Sequence, residues 1–123
     1  MARVLIIDDD SFVREILAFK LEQAGYEVHA EADGEAGLAA AQELAPDIVL
    51  LDWMMPRLTG LEVCRRLREM PETRDVAVIL LTAKAQENDL QRGFAAGADD
   101  YMVKPFSPPE LSSRIQAVLA RSR

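Results

Sequence analysis

Five short apolar runs alternate with five segments of helical periodicity along the whole chain. The runs occupy residues 4–7, 26–30, 48–51, 76–81 and 99–103. Three of them are almost continuous in Val, Ile and Leu, which is typical of strands that are covered on both faces. Short connections between strands and helices predict a parallel sheet with helices on both sides. We therefore expect one doubly wound (βα)5 domain of the α/β class, with the flavodoxin-like strand order 2-1-3-4-5.

The signals that start the helices differ in strength. The third helix begins with a capping-box pattern in residues 59–62, and the fifth has a similar pattern in residues 107–110. The fourth helix, residues 86–96, is the weakest, because it contains a glycine and has only Leu90 and Phe94 as large apolar anchors. Such a helix could move at low cost, so it is a candidate for a switch.

Apolar stripes at helical spacing predict which helix faces pack on the sheet. The stripe of the first helix consists of Val13, Ile16, Leu17, Leu21 and Ala24. The stripe of the fifth helix consists of Leu111, Ile115, Val118 and Leu119. Cys64 lies in the stripe of the third helix, so we expect a buried thiol without a special role.

The composition excludes several classes of function. The net charge is -7 and the pI is near 4.7, which argues against nucleic-acid binding by this segment. No apolar run approaches the roughly 20 residues that a membrane span needs, and no signal-peptide pattern is present. A single cysteine cannot form an internal disulfide, so a cytoplasmic protein is expected. With no linker in the sequence, residues 1–123 are expected to be one domain without an effector domain.

Polar residues that phosphoryl chemistry can use follow four of the predicted strands. Asp8 and Asp9 follow the first strand, and Asp52 follows the third. Thr82 follows the fourth strand and Lys104 follows the fifth. Because the carboxyl ends of parallel strands form one edge of the sheet, these side chains should converge there.

A fold that clusters carboxylates must either protonate one of them or bind a cation. Two of them about 4 Å apart repel each other by roughly 4 kcal/mol at an effective dielectric near 20. Oxygen ligands without His or Cys neighbours favour Mg²⁺, with Mn²⁺ as an alternative. Asp10 is set apart from this site, because beside Ser11 it is better placed to cap the first helix.

Together these groups fit a phosphoryl transfer to a carboxylate. Asp52 would be the nucleophile, and the cation, Lys104 and Thr82 would stabilise the transferred charge. The chain has no G-x-x-x-x-G-K-[ST] loop, so it lacks that nucleotide cradle. The phosphoryl donor would then be another protein or a small molecule.

Four motifs resemble the receiver domain of two-component response regulators, the CheY-like family. They are V-L-I-I-D-D-D-S, D-I-V-L-L-D-W-M-M-P-R-L-T-G, V-I-L-L-T-A-K and G-A-D-D-Y-M-V-K-P-F. The resemblance covers the whole chain and implies a phosphorelay signalling switch that carries an aspartyl phosphate. Such a domain promotes its own phosphorylation and dephosphorylation but does not turn over an external substrate.

The resemblance also implies roles for individual residues. Asp52 would take the phosphoryl group from a sensor histidine kinase or a phosphotransfer protein. Asp9, Asp52 and the backbone carbonyl of Met54 would bind Mg²⁺, and Asp8 would reach the ion through water. Lys104 would bind a phosphoryl oxygen.

Four further expectations come from the same family. Thr82 and Tyr101 would form the switch pair, with the hydroxyl turning toward the phosphate and the ring turning inward. The Lys104–Pro105 bond would be cis. Trp53 would be a partly exposed lid over the site. Met54 and Lys84 would occupy positions where the family varies and where the lifetime of the phosphoryl group is often tuned.

The C-terminal part most resembles receivers that carry a winged-helix DNA-binding domain. Those receivers form homodimers through charge pairs on the fourth helix, fifth strand and fifth helix. The matching residues here are Asp99, Asp100, Glu110, Arg114 and Arg121. Leu90 stands where the subfamily often has a basic partner, which weakens the expectation of a dimer. The chain is then either a receiver excised from a longer regulator or a single-domain regulator.

Three alternative functions explain the sequence less well. A haloacid-dehalogenase-type phosphatase needs a second acid two residues after the nucleophile, where this chain has Met54. A flavodoxin-type FMN binder needs a phosphate loop after the first strand, where three aspartates would repel phosphate. A pseudo-receiver that acts as a phosphorylation-independent interaction module remains an alternative, although every acceptor-site residue is present.

Overall fold

The computed structural model of the protein describes residues 2–83 and 87–121. Within these residues, five strands alternate with five helices. The strands are β1 (Arg3–Ile7), β2 (Glu27–Glu31), β3 (Ile48–Asp52), β4 (Ala77–Thr82) and β5 (Asp100–Val103). The helices are α1 (Ser11–Gln23), α2 (Gly34–Leu44), α3 (Gly60–Glu69), α4 (Glu87–Ala95) and α5 (Pro108–Arg121). The strands form one parallel sheet in the order β2-β1-β3-β4-β5, which confirms the predicted fold.

The sheet divides the core into two layers, because successive side chains of a strand point to opposite faces. On one face, Leu5 and Val49 pack with residues of α2 and α3. On the other face, Ile6 and Leu50 pack with residues of α1 and α5. β1, β3 and β4 are covered on both faces, as their apolar sequences predict. These central strands position the functional residues at their carboxyl ends.

Side-chain caps start the helices where the sequence predicts them. The Asp10 carboxylate accepts hydrogen bonds from the backbone N–H groups of Phe12 and Val13, which confirms Asp10 as the cap of α1. At α3, Thr59 and Glu62 form both arms of the capping box. These caps fix the connections that follow β1 and β3, which are the two strand ends that carry the aspartates.

Several expectations about packing are wrong in detail. Ile16 does not join the buried stripe of α1 but lies 42% exposed, beside the more exposed Phe12 and Phe19. Ala24 does not join it either, because it is the exposed C-cap that follows α1. Phe94 is 47% exposed and does not anchor α4, whereas Gly93 is buried. A glycine allows α4 to lie close to β4 without a large side chain between them.

Other details agree with the sequence. Cys64 is fully buried, and burial raises the pKa of its thiol to about 11. Each strand begins and ends within one residue of the position predicted for it. Gln86, the predicted start of the fourth helix, lies outside the described residues. Each helix in the described part of the chain is too short or too polar to cross a lipid bilayer.

Candidate functional site

Three carboxylates converge at the carboxyl edge of the sheet. In the parallel register Ile7 pairs with Leu51, so the residues that follow them, Asp8 and Asp52, lie at neighbouring strand ends. One carboxylate oxygen from each of Asp8, Asp9 and Asp52 lies within 4.8 Å of the others. Asp8 is fully buried, Asp52 is almost fully buried, and Asp9 is exposed. The predicted acidic cluster is therefore present, with Asp9 on its solvent side.

Lys104 bridges two of these carboxylates from the end of β5. Its Nζ atom lies 3.1 Å from Asp8 Oδ2 and 3.1 Å from Asp52 Oδ1. Burial alone would lower the pKa of the lysine, but the charges of Asp8 and Asp52 outweigh it and raise that pKa. The ammonium is therefore charged at neutral pH. The Lys104–Pro105 peptide bond is cis, as predicted.

The pKa of Asp52 is raised to about 6. The main cause is desolvation of the buried carboxylate, and the negative charge of Asp8 adds to it. The charge of Lys104 and its hydrogen bond oppose the shift without cancelling it. The single positive charge of Lys104 is therefore not enough to balance the negative charge of the acidic cluster.

The donor set of the cluster fits a divalent cation. All three side chains offer hard carboxylate oxygens, and they lie close enough together for a shared ion. A cation there would also stabilise the ionised form of Asp52, which the protein alone disfavours. Mg²⁺ keeps several of its waters, so a few protein oxygens suffice.

Asp8 is held in place through four of its atoms. Its backbone N–H donates to the carbonyl of Glu31, and its carbonyl accepts a 2.8 Å hydrogen bond from Arg14 Nη1. Its Oδ1 atom accepts from the backbone N–H of Asp10, while Oδ2 faces Lys104. Asp8 is therefore a fixed member of the site with both carboxylate oxygens engaged.

Arg14 was not identified from the sequence, where it resembles an ordinary helix arginine. One signal was available. Arg14 lies in the first turns of α1, and helical side chains lean toward the N-terminus of their helix. The N-terminus of α1 lies at the end of β1, so an arginine at this position can reach back to Asp8.

The two proposed switch residues lie on neighbouring strands. Thr82 ends β4 and is buried, and its carbonyl accepts a 2.7 Å hydrogen bond from the backbone N–H of Lys104. Tyr101 lies in β5 with its side chain half-buried. Its ring makes an edge-to-face contact with Phe94, with 6.1 Å between ring centroids, and Arg114 lies 5.9 Å from the same ring. Tyr101 thus contacts both α4 and α5.

The prediction that Trp53 is a partly exposed lid is wrong, because the side chain is buried in the core. The backbone of Trp53 explains this. Its N–H donates to the carbonyl of Leu81, and its carbonyl accepts from the N–H of Gly60. The ring packs in the core and, together with Leu80, Gly93 and residues of α4 and β5, lines a small cavity. Trp53, which directly follows Asp52, thus lies beside residues of α4.

Gly60 allows the start of α3 to approach this strand end closely. A Cβ atom there would lie 2.4 Å from the carbonyl oxygen of Asp52, a distance that no side chain tolerates. The Met54 side chain points away and is 73% exposed, so only its backbone is a candidate ligand. Lys84, the other position expected to tune the phosphoryl lifetime, lies outside the described residues.

The residues expected at a dimer face already have partners within the chain. Asp99 pairs with Arg68 at 3.1 Å and accepts from the backbone N–H of Val78. Arg114 pairs with Asp100 at 3.1 Å and with Glu110 at 3.4 Å. The guanidinium of Arg121 donates to the carbonyl of Asp99. Leu90 is half-buried and lines the same small cavity as Trp53.

Comparison with known sequences gives consistent matches over the whole chain. The family described as "Response regulator receiver domain" matches residues 4–116. The phosphate regulon transcriptional regulatory protein PhoB of Rhizobium meliloti is 42% identical over 123 residues, which are 100% of this chain and 54% of that protein. The DNA-binding dual master transcriptional regulator RpaA of Synechocystis is 45% identical over 122 residues, or 99% of this chain and 51% of that protein. The chain thus spans about half the length of these relatives.

Solved structures agree with the sequence matches. The chemotaxis protein CheY4 of Vibrio cholerae superposes with a TM-score of 0.93 at 36% identity, covering 96% of this chain and 98% of that one. The receiver domain of the sensor histidine kinase PA1611 of Pseudomonas aeruginosa has a TM-score of 0.89 at 30% identity, covering 97% and 98%. In that structure a magnesium ion is coordinated in the active-site cleft.

Proposed function

The chain belongs to the response regulator receiver domain family, the phosphoacceptor switches of two-component signalling, and from this premise we propose that Asp52 is the phosphoacceptor. The observation that carries the proposal is the position of the Asp52 carboxylate. It lies at the end of a central strand, within 4.8 Å of two further carboxylates and 3.1 Å from the Lys104 ammonium. Asp9 and Asp10 lack this position, because both are exposed.

The reaction requires an ionised Asp52. A carboxylate oxygen of Asp52 attacks the phosphorus of a phosphohistidine in line with the leaving nitrogen. The new O–P bond forms as the N–P bond breaks, and the electron pair of that bond stays on the imidazole nitrogen. With a pKa of about 6, Asp52 is mostly ionised at neutral pH and holds its proton under mildly acidic conditions.

Lys104 and Thr82 act on the transferred group from neighbouring strands. The Lys104 ammonium exchanges its contact with Asp52 for a phosphoryl oxygen, while Asp8 continues to hold its other side. The Thr82 hydroxyl sits at the end of the strand next to Asp52 and hydrogen-bonds a second oxygen. Burial strengthens both interactions, because the local dielectric is lower than in water.

Asp9, Asp52 and the Met54 carbonyl are the proposed Mg²⁺ ligands, with Asp8 reaching the ion through water. When bound, the cation neutralises charge on the carboxylates and on the phosphoryl oxygens. The distribution of burial supports these assignments. Asp9 is exposed, whereas both carboxylate oxygens of Asp8 already accept hydrogen bonds. Mn²⁺ is expected to replace Mg²⁺ because it accepts the same ligand type.

The output of the switch is proposed to be a change at Thr82 and Tyr101 that alters binding to a partner, to a second copy or to an effector domain. Tyr101 contacts Phe94 of α4 and Arg114 of α5, so an inward turn of the ring would rearrange that surface. The pseudo-receiver alternative is less favoured, since no residue of the acceptor site is missing. We also infer that the domain is not a turnover enzyme, as expected for its family.

An apolar groove beside the acidic cluster supports a protein as the phosphoryl donor. The groove has a volume of about 460 Å³ and is lined by α1 and the loop after Lys104. Its apolar lining includes Phe12 and Ile16, which are more exposed than core residues of this size normally are. A sensor histidine kinase or phosphotransfer protein bound there would bring its phosphohistidine to Asp52.

Three further parts of the function stay predictions. A homodimer through α4, β5 and α5 would require the pairs of Asp99, Asp100 and Arg114 to exchange partners between subunits. Because the related regulators are about twice as long, any DNA-binding output belongs to residues beyond a receiver. No direct nucleic-acid contact is proposed for this acidic domain, and a cytoplasmic location is proposed from its family and composition.

Beryllofluoride, a phosphoryl analogue, tests the acceptor assignment. Trp53 is the only tryptophan in the chain and follows Asp52 directly, so its fluorescence should change when beryllofluoride binds with Mg²⁺. Asp52→Asn should abolish the change. Asp10→Asn is the matched control, because it removes a neighbouring charge but keeps a side chain that caps α1.

Two outcomes would contradict the assignment. One is the absence of any response of the wild-type protein at millimolar Mg²⁺, and the other is a response that Asp52→Asn leaves unchanged. Sedimentation of the same samples tests for the proposed dimer. If the dimer depends on phosphorylation, a larger species should appear only when beryllofluoride is bound.

A further inference from the structure

Arg14 makes a contact that a surface arginine on a helix does not ordinarily make. Its Nη1 atom donates a 2.8 Å hydrogen bond to the backbone carbonyl of Asp8. Among the described residues, no carboxylate forms an ion pair with it. The guanidinium therefore binds the backbone of the acidic site without neutralising one of its side chains.

The carbonyl that Arg14 binds belongs to the peptide group between Asp8 and Asp9. A peptide group is planar, so fixing its oxygen also fixes the direction in which the chain continues to Asp9. Asp8 has three other contacts that hold it, but Asp9 is exposed. The hydrogen bond from Arg14 therefore adds little to the position of Asp8 and mainly restrains the backbone at Asp9.

We propose that Arg14 is a positioning residue for the metal site, which holds the Asp8–Asp9 peptide so that the Asp9 carboxylate is placed to bind a divalent cation. The inference rests on the proposed function of Asp9 as a ligand. Groups that hold metal ligands from outside the coordination sphere commonly change metal affinity by about 10- to 100-fold when they are removed. Because Arg14 acts through a single carbonyl, we expect a loss near the lower end of that range.

The sign of the effect separates this role from simple electrostatics. If Arg14 acted only as a nearby positive charge, replacing it with a neutral residue would remove repulsion toward the cation and tighten metal binding. If it positions the peptide, the same replacement weakens binding. Arg14→Met keeps much of the aliphatic stem but removes both the charge and the hydrogen bond, so its effect has opposite signs under the two accounts.

The test is a calorimetric titration of the whole chain with Mg²⁺ or Mn²⁺ in the absence of any phosphoryl donor. It measures the affinity for the metal ion. Arg14→Met should weaken binding about tenfold, and Arg14→Lys, which can still donate, should recover part of the loss. Lys20→Met is the matched control, since it makes the same change of charge on an exposed residue of the same helix. It should leave the affinity nearly unchanged.

Unchanged or tighter binding by Arg14→Met would overturn the positioning role. Asp9→Asn distinguishes that failure from a failure of the proposed metal site. If Asp9→Asn abolishes binding while Arg14→Met does not weaken it, the site stands and the role of Arg14 is wrong. If Asp9→Asn binds as tightly as the wild type, the ligand assignment itself is wrong, and the role of Arg14 with it. Circular dichroism of each variant confirms that the fold is intact.

Discussion

The helices α3 and α4 flank the same site, but the protein holds them very differently. α3 begins with a two-armed capping box and buries Leu61, Val63, Cys64 and Leu67. α4 buries Gly93, while Leu90 is half-buried and Phe94 is 47% exposed. Both helices contact residues next to Asp52, through Gly60 in one case and through Trp53 in the other. From this difference we expect α3 to keep its position and α4 to be the helix that moves more easily when a phosphoryl group is bound.

The largest effect is expected when a leucine side chain is truncated to alanine in each of the two helices. Leu67→Ala should lower the free energy of unfolding by about 3 kcal/mol, because Leu67 is fully buried in a packed core. Leu90→Ala should lower it by less than about 1 kcal/mol, since that side chain is only half-buried. Urea unfolding measures both values. Equal losses would mean that α4 is anchored as firmly as α3.

A smaller effect is expected from adding one methyl group under α4. A Cβ atom at Gly93 would lie 2.9 Å from Leu80 Cδ1 and 3.4 Å from Trp53 Cζ3. Gly93→Ala should therefore destabilise the protein by about 1 kcal/mol, even though alanine favours helix. Unfolding measures the loss, and hydrogen exchange should show faster opening of α4 than of α3.

Leu80→Val provides the control for this prediction, because it removes the atom nearest to the new methyl group. In the Leu80→Val background, the loss caused by Gly93→Ala should shrink. A loss of the same size in both backgrounds would show that the space between α4 and β4 does not limit the position of the helix.

An effect no larger than that of Gly93→Ala is expected from the ionisation of Asp52, and it depends on pH. Folding raises the pKa of Asp52 to about 6, so the folded protein binds a proton more tightly than the unfolded chain. Stability should consequently fall as the pH rises from about 4 to about 6, and the ionised carboxylate remains destabilising above that range. Asp52→Asn removes this cost.

Without divalent cations, Asp52→Asn should therefore be the more stable protein at pH 7, by about 1 kcal/mol once solvent screening is allowed for. The advantage should disappear toward pH 4. Thermal unfolding across this range measures it, and Asp10→Asn again serves as the control. A constant difference between wild type and Asp52→Asn at every pH would show that burial does not strain the Asp52 carboxylate.

The fold and most of the acidic site could be predicted from the sequence because both follow from local patterns. Apolar runs define the strands, and in a parallel sheet the residues that end them must share one edge. This argument places Asp8, Asp52, Thr82 and Lys104 without any knowledge of side-chain packing. The capping roles of Asp10 and Thr59 are equally local, and the structure confirms both.

What could not be predicted depends on contacts between distant segments. The sequence predicts that Trp53 is a lid, but the structure buries it beside Gly93, which lies forty residues further along the chain. The exposure of Ile16 and Phe94 reflects how far each helix is rolled on the sheet, which periodicity alone does not fix. Arg14 escaped notice because its partner is a backbone carbonyl, which sequence patterns do not reveal.

The most direct test of the account is to locate the phosphoryl group itself. The protein is incubated with Mg²⁺ and a small acyl phosphate, and its mass and peptides are then measured. The account predicts the addition of one phosphoryl group, carried by the peptide that contains Asp52, removed by hydroxylamine and absent from Asp52→Asn. Phosphoryl transfer to another residue, or the same mass increase in Asp52→Asn, would contradict it.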